Sequence, residues 1–324
     1  SDAVFSGPKP GEIDTKLDQI EAVLKELLGG IQTNLSKPCA QKEELTTLDN
    51  CLPGLPYADF TDATITGTVF TNANMRGVTL TKVIGLSAAN LSQTNLSGAA
   101  LGSNLAGVNL AGANLGAGPG LNGKCVRDGR NNVIDLSGVN LSGANLAGVC
   151  LLNAQLIGAD LSNANLAGVD LTNANLYEAD LEKAVFYVDD EFAILENATL
   201  AFAHLTGADL YKANLMGADL THADFTDANL ARATISLSTT LTNAIFKEVS
   251  FVCANLNGAQ LVFVDISWAD LRGADLTGAD LSRSNLSGSN FTGAEYSTNT
   301  RWPDFFNPLL AGAVQAANPM CTDS

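Results

Sequence analysis

Basic residues are scarce in this chain of 324 residues: 17 Lys and Arg stand against 34 Asp and Glu, a formal charge of −17. That balance argues against direct binding to nucleic acid or to an anionic membrane. No run of about eighteen apolar residues exists, so no helical membrane span is expected. Histidine occurs only at His204 and His222, and no Ser/His/Asp or Cys/His set can be argued from them. The six cysteines include no CxxC pair, which speaks against a zinc cluster. These shortages leave little from which to build a catalytic centre, and no enzyme, cofactor or metal is expected.

What the chain does have is a five-residue period. It is clearest in Ala154-Gln155-Leu156-Ile157-Gly158, Ala159-Asp160-Leu161-Ser162-Asn163 and Ala164-Asn165-Leu166-Ala167-Gly168. Each unit runs small residue, Asp or Asn, Leu or Phe, then two small or polar residues. A helix turns every 3.6 residues and a strand alternates every 2, so neither keeps such a period on one face. A chain that turns a corner at every unit does. The large residue then always points inward, beside the small residue two positions earlier. Stacked coils of this kind form an all-β solenoid around a column of Leu and Phe. Asp or Asn between the two inward positions faces out, where it can bond backbone groups at the corner. Gly, Ser, Thr and Asn supply the remaining corner conformations.

On these motifs the chain resembles the pentapeptide-repeat proteins, the A(D/N)LXX family. The resemblance implies a right-handed quadrilateral β-helix with four units per coil. At about 42 units and ~4.8 Å between stacked strands, the rod would be roughly 50 Å long. A twenty-residue coil also stacks Asp270 under Asn290 and Asp265 under Asn285, which limits repulsion between like charges. Because the repeat itself favours Asp, the acidity has a structural origin.

Three regions are expected. Residues 1–56 form an N-terminal segment whose α-helical cap spans 14–28, with Leu17, Ile20, Leu24, Leu27 and Leu28 on one face and Gly29-Gly30 as the stop. Residues 57–298 form the β-helix, with loop insertions near 116–133 and 187–197, and with one extra residue near Thr239. Residues 299–324 form a C-terminal cap. Its Trp302-Pro303 and Phe306-Asn307-Pro308 resemble the ending of many family members and imply aromatic closure with a short helical cap.

Cys39, Cys51, Cys125, Cys150, Cys253 and Cys321 all lie off the inward positions. An even number of cysteines outside the core suggests a disulfide framework, and therefore an oxidising compartment. The expected pairs are Cys39–Cys51, close in sequence, Cys125–Cys150, pinning the first loop, and by elimination Cys253–Cys321. A start at Ser1 rather than Met fits a trimmed product of the secretory pathway. Family members with leader peptides occur in the periplasm and the thylakoid lumen, so the resemblance implies one of these.

Few features invite chemistry. Residues 118–125 nearly match the phosphate-binding loop GxxxxGK[ST], but Cys125 replaces the hydroxyl and the following residues read as a turn. Lys124, Arg127 and Arg130 in this loop are the candidate interaction residues of an otherwise acidic chain. Asp189-Asp190-Glu191 lacks the spacing of a calcium loop and reads as a solvated acidic turn. The expected function is a non-catalytic structural or protein-interaction scaffold, a monomer with a protein partner. The alternative is a DNA mimic binding a topoisomerase such as gyrase, as some family members do.

Overall fold

The computed structural model describes residue 60, residues 70–80, 83–86, 89–97, 99–101, 105, 108–115 and 134–316, and Cys321. Within these the period of five becomes a ladder with a period of twenty. Asp135 bridges Gln155, Asn140 bridges Asp160, Asn145 bridges Asn165 and Cys150 bridges Asp170, all parallel. Four bridges per coil give four columns, and each coil is hydrogen-bonded to the coils before and after it. Asn165 N–H donates to the Ala144 carbonyl at 2.9 Å, and Leu166 N–H donates to the Val185 carbonyl at 2.6 Å. The architecture is a repeat β-helix. Most of its rungs are single bridges. The longer pairs are β1 (Thr79–Leu80) with β2 (Ala100–Leu101), β3 (Tyr187–Val188) with β4 (Glu191–Phe192), and β5 (Glu295–Tyr296) with β6 (Val314–Gln315).

Each corner is a four-residue turn. Ala159 N–H returns to the Leu156 carbonyl at 3.0 Å, and Gly158, third in the turn, has φ +60°. A single positive φ at that place is the type II geometry, which suits Gly and Asn. Gly158, Asn153 and Asn163 fill it easily, but Glu178, Phe202 and Trp268 also adopt it, at φ 55°, 61° and 60°. Such residues cost about 1–2 kcal/mol each, and the ladder on either side imposes the conformation on them.

The Asp or Asn of each unit stabilises the same corner. Asp160 Oδ1 accepts the Ser162 N–H at 3.0 Å and the Ser162 hydroxyl at 2.7 Å. Asn165 Oδ1 accepts the Ala167 N–H at 3.1 Å, while its amide donates to Asn145 Oδ1 one coil away at 3.2 Å. A short side chain with an oxygen at Cγ reaches the corner N–H, which is why Asp and Asn recur here, and Asn adds the bond to the neighbouring coil. Mixed columns also relieve charge: Asn285 donates to Asp265 Oδ1 at 3.0 Å.

The inward positions form one continuous core. Leu146, Leu166, Phe186, Leu210 and Leu230 follow one another down a single column, each fully buried, with Ala144, Ala164 and Ala184 beside them. Where Thr or Ser replaces the small residue, its hydroxyl is satisfied by backbone. Thr94 donates to the Leu91 carbonyl at 2.6 Å, and Ser289 donates to Ile266.

The irregularities near Thr239 and over 187–197 have structural counterparts among the described residues. One extra residue makes the Asp219–Thr240 and Asp280–Arg301 steps 21 long. At both places a buried threonine fills the gap. Thr239 donates to the Leu215 carbonyl at 2.9 Å and Thr300 to the Leu276 carbonyl at 2.8 Å. The same hydroxyls accept the N–H of Ser236 and Ser297. The insertion expected over 187–197 is narrower. The ladder resumes where Asp170 bridges Ile194, and the excursion is the β3–β4 hairpin.

The C-terminal short helical cap is corrected. Residues 308–312 make one turn only, with Ala313 N–H bonding the Pro308 carbonyl and Gly312 N–H bonding Leu309. Gly312 at φ +89° ends it, the 6→1 and 5→2 pattern that terminates helices. The chain then pairs as β6 with β5. The aromatic closure is formed without a helix. Trp302 and Phe306 stack at 5.0 Å, and both meet buried Phe291, at 5.6 and 5.3 Å. Among the described residues there is no α-helix. The N-terminal α-helical cap expected over 14–28 and the loop near 116–133 lie outside the described residues.

Candidate functional site

The β3–β4 hairpin interrupts the parallel ladder between Val185 and Ile194. Asp189 and Asp190 have φ 51° and 67°, so both central residues are left-handed, as a type I′ turn requires. Val188 faces Glu191 and Tyr187 faces Phe192. The hairpin is fastened to the adjacent corner: Tyr187 OH donates to Asp190 Oδ1 at 2.9 Å, and its ring meets Tyr211 at 4.6 Å. Lys212 Nζ lies 5.7 and 5.6 Å from these two ring centres and 3.5 Å from Asp190. The hydrogen bond to Asp190 raises the Tyr187 hydroxyl pKa, more than Lys212 lowers it.

Beside the hairpin runs an open groove of ≈ 360 Å³ lined by Phe192, Lys212, Asn214, Met216, Arg232 and Thr234. Phe192 is 45% and Met216 38% exposed. A second feature follows a different edge. Tyr177 meets Phe202 at 5.6 Å, Phe202 stacks on His222 at 4.7 Å, and Asn243 lies 3.3 Å from His222 Nε2. Further along it, Arg283 covers the Phe263 ring at 5.1 Å. The two histidines occupy different columns, since His204 bridges Asp180 while His222 is a corner residue.

Of the cysteines, Cys253 and Cys321 are joined by a disulfide with Cα atoms 5.7 Å apart. Cys253 is a corner residue at φ 57°. Cys150, on the outward bridging position, is disulfide-bonded to a cysteine outside the described residues. Cys39, Cys51 and Cys125, and the interaction candidates Lys124, Arg127 and Arg130, lie outside the described residues. Among the described residues no three His, Cys, Asp or Glu are grouped to hold a metal ion, and no helix is long and apolar enough to cross a membrane. The shifted carboxylates serve the ladder. Burial pushes Asp270 up, but the hydrogen bonds and charge of Arg272 outweigh it and hold the carboxyl low. Asp280 is likewise raised by burial, and lowered further by Ser282 and Arg301.

Sequence reasoning missed the groove. The run Tyr187-Val188-Asp189-Asp190-Glu191-Phe192, two strand-forming pairs around two turn residues, was the available signal.

No curated protein sequence matches the chain. Among solved structures it is similar to HetL, a pentapeptide repeat protein involved in heterocyst differentiation regulation in the cyanobacterium Nostoc sp. strain PCC 7120. Identity is 26%, over 74% of this chain and 90% of that one, with TM-score 0.30. A pentapeptide repeat protein of the Arabidopsis thaliana thylakoid lumen is 27% identical over 43% of this chain and 69% of its own, at TM-score 0.16. QnrB1, a plasmid-mediated fluoroquinolone resistance protein, is 20% identical over 55% and 85%, at TM-score 0.39. The family profile of pentapeptide repeats matches in eight copies, over residues 55–84, 86–116, 134–173, 150–186, 193–232 and 265–295. With more than half of its length matched and the twenty-residue ladder formed, the chain belongs to the pentapeptide repeat family.

Proposed function

We propose that this protein is a non-catalytic scaffold that binds another protein in an oxidising compartment. The observation that carries the reading is the contrast between core and corners. The inward columns are filled by Ala, Leu and Phe, while the corners and the hairpin vary in charge, aromaticity and shape. Rigid elements that present variable loops commonly serve recognition. The Cys253–Cys321 disulfide supports the compartment, as does the bonded state of Cys150. Periplasm and thylakoid lumen both fit. A right-handed winding, a helical cap over 14–28 and a monomeric state complete the proposal, with Lys124, Arg127 and Arg130 as one recognition loop. The test is cross-linking and recovery of partners from the protein's own compartment, with residues 118–130 intact or replaced by a Gly/Ser linker. A saturable partner retained at native abundance is the expected result. Turnover of a substrate by the purified chain would overturn the reading.

The formal charge of −17 favours a second reading, a DNA mimic that binds a topoisomerase such as gyrase. Inhibition of supercoiling by the purified protein is its test.

A further inference from the structure

The groove beside the β3–β4 hairpin combines three properties. It has an apolar pair, Phe192 and Met216, both well exposed. It has two cations one coil apart, Lys212 and Arg232, in a chain of net charge −17. It also has an open strand edge. A two-residue turn makes Val188–Glu191 the hydrogen-bonded pair, and the Ala193 N–H to Phe186 carbonyl bond marks the next one. Tyr187–Phe192 between them is therefore the non-bonded pair, and Phe192 turns its N–H and C=O away from β3.

The two cations are not used alike by the fold. Lys212 is held by Asp190 and the two tyrosine rings. Arg232, at a left-handed corner with φ 58°, makes no ion pair and no side-chain hydrogen bond among the described residues. Asn214 spends its carbonyl on the Met216 N–H at 3.1 Å, and its amide makes no side-chain hydrogen bond among the described residues.

We propose that this groove binds an extended, acidic and apolar segment of a partner protein. Arg232 and Lys212 take a carboxylate, an apolar side chain two residues away lies between Phe192 and Met216, and the free edge of β4 receives its backbone. Arg is suited to a planar carboxylate through two parallel hydrogen bonds. Side chains two apart in an extended strand share a face. Charge complementarity selects this occupant over a polyanion. The groove offers two cations, flanked by Asp189, Asp190 and Glu191 on an acidic rod, so a nucleic acid or anionic membrane would be repelled around the contact. This inference rests on the scaffold reading and names one surface and the chemistry of its partner.

The test is selection of a random dodecapeptide phage library on the full disulfide-bonded chain, followed by anisotropy titrations of the enriched peptides. Enriched sequences are expected to carry Asp or Glu two positions from Leu, Ile, Phe or Met. Arg232→Glu should weaken binding at least tenfold, Arg232→Lys about threefold, and Phe192→Ser about tenfold. Affinity should fall as salt rises. Phe192 is exposed and Arg232 half-buried, both outside the core columns, and unchanged melting curves establish that the variants fold. Peptides without acids, binding indifferent to Arg232→Glu and Phe192→Ser, no enrichment, or preference for heparin or duplex DNA would each overturn the proposal. A partner that is lost on replacing residues 118–130 but survives the groove variants would sink the groove and leave the scaffold reading standing.

Discussion

Leu166→Ala should be far more damaging than its neighbour Asn165→Ala. Leu166 is fully buried, with Leu146 and Phe186 before and after it in the column and Ala164 alongside. Truncation removes three carbons and leaves a cavity. Such changes span about 2.7–5 kcal/mol, depending on how far the surroundings collapse. Collapse is restricted here because the coil is bridged on both sides, Asn145 to Asn165 and Asn165 to Val185. The loss should therefore lie in the upper part of that range, about 4 kcal/mol. Asn165→Ala removes the bonds to Asn145 and to the Ala167 N–H. Partly exposed bonds of this kind are worth about 1 kcal/mol each, so about 1–2 kcal/mol is expected. Leu166→Asp should be worse than either, because its carboxylate has no partner in the column. Stacked repeats unfold with limited cooperativity, so a single melting curve does not capture a local loss. Hydrogen exchange read at the amides of Leu146, Leu166 and Phe186, alongside thermal denaturation by circular dichroism, does. Equal effects of Leu166→Ala and Asn165→Ala would mean that the inward and outward faces are misassigned.

Three further outcomes follow from the same geometry. Gly288 has φ +76°, and an added Cβ would come within 2.5 Å of the Trp268 ring. Gly288→Ala should therefore shift tryptophan fluorescence to the red, whereas Gly143→Ala, with nothing within 4 Å, should cost only about 1 kcal/mol of left-handed strain and leave the emission unchanged. Asp280 titrates below its ordinary value, so the fold favours its ionised form. That stabilisation is intact above the unfolded-state pKa of about 3.9 and is lost as pH falls through the lower folded value. Melting temperatures recorded from pH 7 to 2.5 should drop below about pH 4, and less steeply in Asp280→Asn; identical slopes would refute the assignment. Cys321→Ser opens a link across 68 residues, worth at most about 4 kcal/mol by chain entropy. Exchange protection in the terminal coils, around Leu276 and Phe291, should fall, while protection around Leu166 stays unchanged.

The sequence announces the columns because the period is enforced by sterics at every unit. Ala164 and Leu166 leave no other face to bury, so the core positions, the outward Asp and Asn, and the break after Phe186 were legible. The extra residue near Thr239 was visible only as a slip, and the one near Thr300 emerged only with the 21-residue step from Asp280 to Arg301. Their buried hydroxyls depend on carbonyls 24 residues away, at Leu215 and Leu276, which no local pattern reveals. The C-terminal end misled for a local reason: 309–316 looks helical, but Gly312 takes a left-handed conformation and β6 finds a partner in β5. The groove was hidden because its walls come from different coils. Phe192, Met216 and Arg232 lie up to forty residues apart and meet only once the hairpin shifts the register.

All of these surface assignments depend on one coil forming for every twenty residues, and a distance measurement tests that directly. Ser142, Lys247 and Ser287 follow their column's bridging residues Asn140, Ile245 and Asn285, five and seven coils apart along the ladder. Nitroxides placed at these positions through an unnatural amino acid leave the disulfides untouched. At ~4.8 Å per coil, dipolar spectroscopy should give about 24 Å between 142 and 247 and about 34 Å between 142 and 287. Both distances carry the same linker offset, so their difference should be about 10 Å. A difference much larger than that, or two broad overlapping distributions, would contradict the stacked coil and every surface built on it.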